Sequence, residues 1–167
     1  MNERVLIAYG SKHGSTAETA EAIGTMLQET GLAVEVRAAA QVSSVGGYRG
    51  VIVGGCVYTG RWHPDARALI KRFGDELREM PVAIFAMGPK TSEPDELAGT
   101  REQLDLALKR LPDIGLPQIA IFGGVIDPTK LHFPFNRLPA TDARDWDGIR
   151  AFATRFAERV PPARAAA

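Results

Sequence analysis

The chain holds one cysteine, Cys56, and three histidines among its 167 residues. One thiol closes no internal disulfide and builds no four-thiolate metal site, which points to a reducing compartment. The scattered histidines lack the spacing of a metal-ligand set. An excess of one charge is missing too: 20 basic and 20 acidic side chains cancel, and they cancel again within residues 1–80, nine of each, and 81–167, eleven of each. No global field draws the chain to nucleic acid or an anionic membrane, and neither half is a charged tail. No apolar run approaches the roughly 18 residues of a membrane span. Strand-like sequence follows Met1 directly, where a signal peptide would carry its apolar segment. A cytoplasmic protein without a transmembrane segment is expected.

What is present is an alternation of short apolar runs with longer stretches of helical period. Val5–Tyr9, Ala33–Val36, Val51–Val53, Val82–Ala86 and Gln118–Phe122 read as strands. Between them Ala20, Ile23 and Leu27, then Ala66, Leu69, Ile70, Phe73 and Leu77, recur at helical spacing. Leu104, Ala107, Leu108 and Leu111 mark a third helix; Trp146, Ile149, Phe152, Ala153, Phe156 and Val160 mark the apolar face of a fourth. Strands alternating with helices need crossover connections, so the expected class is α/β, a doubly wound five-stranded parallel sheet with helices on both faces. One domain over 1–160 is expected, with a frayed tail at 161–167. Pro64 suits a first helical turn, Gly31 a helix end, and Asp142 or Asp145 the cap of the last helix. Gly123 to Thr141, with Pro128, Pro134 and Pro139, is too interrupted for a regular helix and reads as a long functional or packing loop.

The strongest chemical signal is Gly10-Ser-Lys-His-Gly-Ser-Thr16, between the first strand and the first helix. Unpaired backbone N–H groups and the positive end of the helix dipole converge at such a turn, and Ser11, Ser15 and Thr16 add hydroxyl donors. Lys12 and His13 sit inside the turn, where either could neutralise a phosphate. No Lys follows Gly14 as a Walker loop would require, and the three-glycine dinucleotide fingerprint is absent. No Gly-x-Ser-x-Gly elbow supports hydrolysis. A phosphate site, or simply a well-capped helix, remains.

Tyr9-x-Ser11-x-x-Gly14-x-Thr16-x-x-x-Ala20-x-x-Ile23 resembles the flavodoxin signature, whose loop wraps the terminal phosphate of FMN. The resemblance implies a flavodoxin-like fold, FMN as cofactor, and two further loops holding the flavin ring, here at 55–62 and 86–91. In the first, Val57, Tyr58, Thr59 and Gly60 match, with Tyr58 or Trp62 as the cover of a ring face. In the second, Met87 and Gly88 match, while the aromatic residue that many flavodoxins place in that loop is missing, which leaves the second face either covered by Pro89 or open. Within the family the sequence is most similar to the menaquinone-dependent protoporphyrinogen oxidases, through Val51-Ile-Val-Gly-Gly55, Tyr58-Thr-Gly-Arg-Trp-His63, Met80-Pro81 and Asp145-Trp146. Those oxidases carry a longer basic, aromatic insertion after the position of Gly124, kept here in part as Leu131-His-Phe-Pro-Phe-Asn-Arg137. The implied function is FMN-dependent electron transfer or oxidoreduction. The implied partner is a redox protein or a small-molecule or quinone acceptor, with peripheral membrane contact left open. A pure electron carrier and a flavin-free binding module stand as alternatives. His63 could donate a proton near a flavin or cap the helix that follows it, and Cys56 could be redox-active or a small packed residue.

Overall fold

The computed structural model describes residues 4–11, 14–88, 93–130 and 132–162. The strands are β1 (Arg4–Gly10), β2 (Ala33–Ala38), β3 (Gly50–Tyr58), β4 (Arg61–Trp62), β5 (Val82–Met87), β6 (Gln118–Phe122), β7 (Val125–Ile126) and β8 (Thr141–Asp142). The helices are α1 (Ser15–Glu29), α2 (Pro64–Leu77), α3 (Pro94–Lys109) and α4 (Trp146–Arg159). Five strands pair in the order β2-β1-β3-β5-β6, every pair parallel, and β4 adds an antiparallel extension to β3. This is the expected flavodoxin-like doubly wound sheet, a strand order that general treatments of α/β folds already use as an example of ligand binding at the carboxyl ends of the strands.

Side chains alternate across a strand, so each central strand feeds two cores. Leu6, Val51, Val53, Val82 and Ile84 point to one face with Leu69, Ile70 and Leu77 of α2 and Leu104 of α3. Val5, Ile7, Ile52 and Phe85 point to the other with Ile23 and Leu27 of α1 and Ile149, Phe152 and Phe156 of α4. Val5 to Ala8, Val51 to Val53 and Val82 to Ala86 are at most 1% exposed, which explains why their sequences are continuously apolar rather than alternating.

Helix ends follow the local signals. Gly31 adopts φ 94° after α1, its N–H bonding Gln28 O at 2.9 Å while Leu32 N–H reaches Leu27 O at 3.3 Å, so the last carbonyls of the helix are satisfied. Pro64 opens α2. Of the two candidate caps for α4, Asp145 fills the role by accepting from Gly148 N–H at 3.1 Å, and Asp142 instead binds Arg144.

Two expectations need correction. The helical period puts Trp146 on the apolar face of the last helix, yet it is 41% exposed, with the Arg144 guanidinium 4.8 Å from its ring centroid. It is the first residue of α4, a turn and more before the Phe152 and Phe156 that the core buries. The long segment after Gly123 is also more ordered than a loop: β7 and β8 pair antiparallel across it, with short 3₁₀ turns at Pro128–Lys130 and Phe135–Arg137 between them. Of the expected tail, residues 163–167 lie outside the described residues.

Candidate functional site

Register brings the three expected loops together. Gly10 at the end of β1 pairs with Gly55 of β3, and Gly55 pairs with Ala86 of β5, so the segments that follow leave adjacent strands side by side. The first two are short of side chains at their base because something else fills the space. A Cβ on Gly10 would run into the imidazole of His63, and one on Gly55 would stand 2.8 Å from Trp62 Nε1.

The turn after β1 is built around Gly14, whose φ of 92° lies in the left-handed region. Gly14 N–H donates to Ser11 Oγ at 2.9 Å, which closes the turn on itself. Among the described residues no side chain caps α1. Its first-turn amides therefore meet no capping side-chain oxygen among the described residues. Thr16, one residue into the helix, is 1% exposed, and its Oγ1 is buried with no hydrogen-bond partner among the described residues. Burying a hydroxyl unpaired costs on the order of 1–3 kcal/mol. A donor left in that state beside uncapped amides and a helix N-terminus suits an anionic oxygen, and a phosphate fits. Lys12 and His13 lie outside the described residues.

A cation missed by sequence reasoning lies over the same turn. Lys130 Nζ is 3.7 Å from where a Cβ on Gly14 would stand, 3.9 Å from Asp127 Oδ2, and half exposed. It comes from the segment between β7 and β8, more than a hundred positions along the chain. That segment is anchored to α1: Arg144 donates to Glu18 at 3.0 Å and to Asp142 at 2.7 Å, with its side chain 10% exposed. The Asp142 hydrogen bond, supported by Glu18, raises the Arg144 pKa above its usual range, and the same Arg144 bond lowers that of Asp142. Nothing in the sequence ties Arg144 to Glu18, which lies 126 residues away.

The second loop is a tight hairpin. Val57 pairs with Trp62 and Tyr58 with Arg61, leaving Thr59 at φ 49° and Gly60 at φ 76° as the turn residues. Positive φ at both matches the twist of the flanking strands, and Thr59 is the strained member because it carries a branched Cβ. Tyr58 projects at 48% exposure. Trp62, the other expected ring cover, is wholly buried and donates from Nε1 to Gly55 O at 3.0 Å. It has no face to offer a ligand, so Tyr58 alone fits that role. In the third loop Met87 is 1% exposed and its side chain belongs to the core, while Gly88 abuts Thr100, 2.8 Å from a Cβ at Gly88. Pro89 lies outside the described residues.

His63 resolves as a cap. Its Nδ1 accepts from Asp65 N–H at 3.1 Å, and burial pushes its pKa below the usual 6.5. Cys56 is half-buried on β3 opposite Met87.

A strand end, an uncapped helix, an orphaned threonine hydroxyl and two adjoining loops now stand in one place, and a flavodoxin domain profile matches residues 6–138. The chain belongs to the flavodoxin family. Solved flavodoxins share its architecture: flavodoxin 2 of Bacillus cereus aligns over 93% of this chain and 98% of its own, with TM-score 0.58 and 20% identity. A cysteine-to-serine mutant of Pseudomonas aeruginosa flavodoxin aligns over 94% and 98%, with TM-score 0.61 and 16% identity. The rubredoxin oxygen:oxidoreductase of Desulfovibrio gigas matches over 95% of this chain but 35% of its own length, with TM-score 0.56 and 12% identity. No curated protein matches the chain. The flavodoxin fold is one of FMN-binding electron transfer. Among the described residues, no helix is long and apolar enough to cross a membrane.

Proposed function

We propose that this chain binds FMN noncovalently and exchanges electrons through it. The buried, unpartnered Thr16 hydroxyl at the start of α1 is the observation that carries the reading. Ser11, Ser15, Thr16 and the first amides of α1 would hold the phosphate, and Lys130 would add a positive charge from above the turn. Lys12 and His13 join this set on sequence alone. Backbone groups of 55–60 and of Gly88, with Pro89 beyond it, would line the ring, and Tyr58 would cover a face. Bound FMN would supply one- and two-electron redox chemistry. No acid or base side chain is required of the protein, whose part is to hold the ring, shape its surroundings and control what reaches its exposed edge.

The finer reading is an oxidoreductase related to the protoporphyrinogen oxidases, working in the cytoplasm and passing electrons to a redox protein or a quinone. Its support is Val51 to Gly55, Tyr58 to His63, Met80-Pro81 and Asp145-Trp146. Turnover of a porphyrinogen with a quinone acceptor would bear it out; exchange with a partner protein alone would leave an electron carrier.

Fluorescence-quenching titrations of flavin-stripped protein with FMN and with riboflavin test the site. Thr16→Val keeps the shape and removes the orphaned hydroxyl. It should weaken FMN about tenfold, leave riboflavin unchanged, and leave the flavin-free fold at least as stable, because an unsatisfied buried group is gone. Lys130→Met should weaken FMN alone by about tenfold, and the loss should shrink as salt rises. Equal losses for both flavins would move the phosphate elsewhere. Failure of the wild-type protein to bind FMN would leave a flavin-free module.

A further inference from the structure

Seven of the described lysines and arginines form ion pairs. Arg4 and Arg37 meet Glu35, Arg101 meets Asp105, Arg144 meets Glu18 and Asp142, and Arg150 meets Glu29. One region gathers cations that have no such carboxylate partner among the described residues. Between α2 and α3 runs a groove of about 1000 Å³ lined by five cations, Arg61, Arg67, Lys71, Lys109 and Arg110, and by no carboxylate. Arg67 is partly held, its Nε donating to Trp62 O at 3.0 Å. The side chains of the other four are exposed and form no ion pair or hydrogen bond among the described residues.

The groove is built rather than incidental. Pro64, Arg67, Ala68 and Lys71 form one helical stripe of α2; Gln103, Leu106, Ala107 and Arg110 form the matching stripe of α3. At one end α2 meets the segment that follows α3, where a Cβ on Gly74 would stand 2.7 Å from Pro112. At the other the groove opens at Gly60 and Arg61, in the hairpin that presents Tyr58. Its lining is apolar at Ala68, Ala107, Leu111 and Leu106, the last 53% exposed. The dipole of α3 favours cations in its last turn and so accounts for Lys109 and Arg110 on stability grounds. It gives no reason for Lys71, in the middle of α2, or for Arg61, on β4.

Unpaired like charges facing one another across a groove repel, and an anion between them removes the repulsion. We propose that this groove docks an acidic, amphipathic segment of a partner protein, its carboxylates meeting Arg61, Lys71, Lys109 and Arg110 and its apolar residues covering Leu106. A concave slot with charge on both walls and an apolar lining suits an inserted peptide helix better than a flat lipid surface. That this partner is the one exchanging electrons rests on the proposed function, since the open end of the groove lies at the hairpin assigned to the flavin ring. The docking itself does not depend on flavin.

The probe is a fluorescein-labelled amphipathic peptide of Glu, Leu and Ala, followed by anisotropy with the full chain. Binding should be present at low salt and fall as salt rises. The double variant Lys71→Glu, Arg110→Glu should weaken it about tenfold or more, whereas Arg155→Glu, an exposed charge reversal on α4, should leave it unchanged. Equal weakening by both variants, no effect of the groove variant, or no peptide binding at low salt would overturn the proposal. So would tighter binding to phosphatidylserine vesicles than to the peptide with the same dependence on Lys71 and Arg110, which would assign the groove to a membrane. An FMN titration of each variant keeps the two readings apart: flavin binding with no peptide binding sinks only the groove, and the reverse sinks only the flavin site.

Discussion

The two faces of the sheet are covered by two helices each, but in different ways. On one, α1 and α4 pack against each other as well as on the strands, and Arg150 to Glu29 spans them at 2.8 Å. Beneath α4 lies an aromatic cluster: Phe152 meets Phe85 and Phe122 edge-on at centroid distances of 6.1 and 5.5 Å. On the other face, α2 and α3 are separated along much of their length by the cationic groove. The first face joins its two helices through an ion pair over a buried aromatic cluster; the second leaves four groove cations facing solvent. Charges that serve stability tend to be paired, and a set left unpaired together on one helical flank is better understood as a surface for something else.

That contrast predicts a graded series. Phe152→Ala, which removes the centre of the aromatic cluster, should cost about 3–5 kcal/mol in urea unfolding. A loss below about 1 kcal/mol would mean the α4 face is as loosely covered as the α2–α3 face. A smaller effect separates the helix caps. α4 is capped by the carboxylate of Asp145, and α2 by the imidazole of His63, which loses its acceptor on protonation. Burial holds the His63 pKa in the folded protein below its usual 6.5. The unfolded chain therefore takes up a proton first as pH falls, so stability drops through that value and levels off below the folded pKa. His63→Asn, which keeps a capping oxygen, should flatten thermal stability against pH in this window. An unchanged slope would place the proton uptake elsewhere. Smallest of all, Lys71→Glu with Arg110→Glu should change unfolding free energy by no more than about 0.5 kcal/mol. A larger loss would make the groove cations structural and remove the reason to give them a partner.

Local features are legible in the chain, and their locality is the reason. The β1 turn and its hydroxyls, the glycine after α1 and the proline at the start of α2 are set by neighbours within a few residues. Period alone marks Phe152 and Phe156 as buried, and they are. Trp62 and Tyr58 show where such reading stops. Both are large aromatics in one hairpin, and only the pairing of Val57 with Trp62 decides that the tryptophan turns inward to Gly55 while the tyrosine stays out. Lys130 is one more polar residue in a proline-broken stretch until the β7–β8 pairing and the Arg144 to Glu18 bridge carry it to Gly14.

By itself the sequence determined the class of fold, the five parallel strands and four helices in chain order, and the phosphate-suited turn, because hydrophobic period, turn chemistry and caps act over a few bonds. Tertiary structure alone decided which aromatic faces a ligand, which lysine joins the turn, and that Arg61, Lys71 and Arg110 share one groove. Those outcomes depend on residues tens of positions apart meeting across a sheet, and only the packing of the whole chain brings them together.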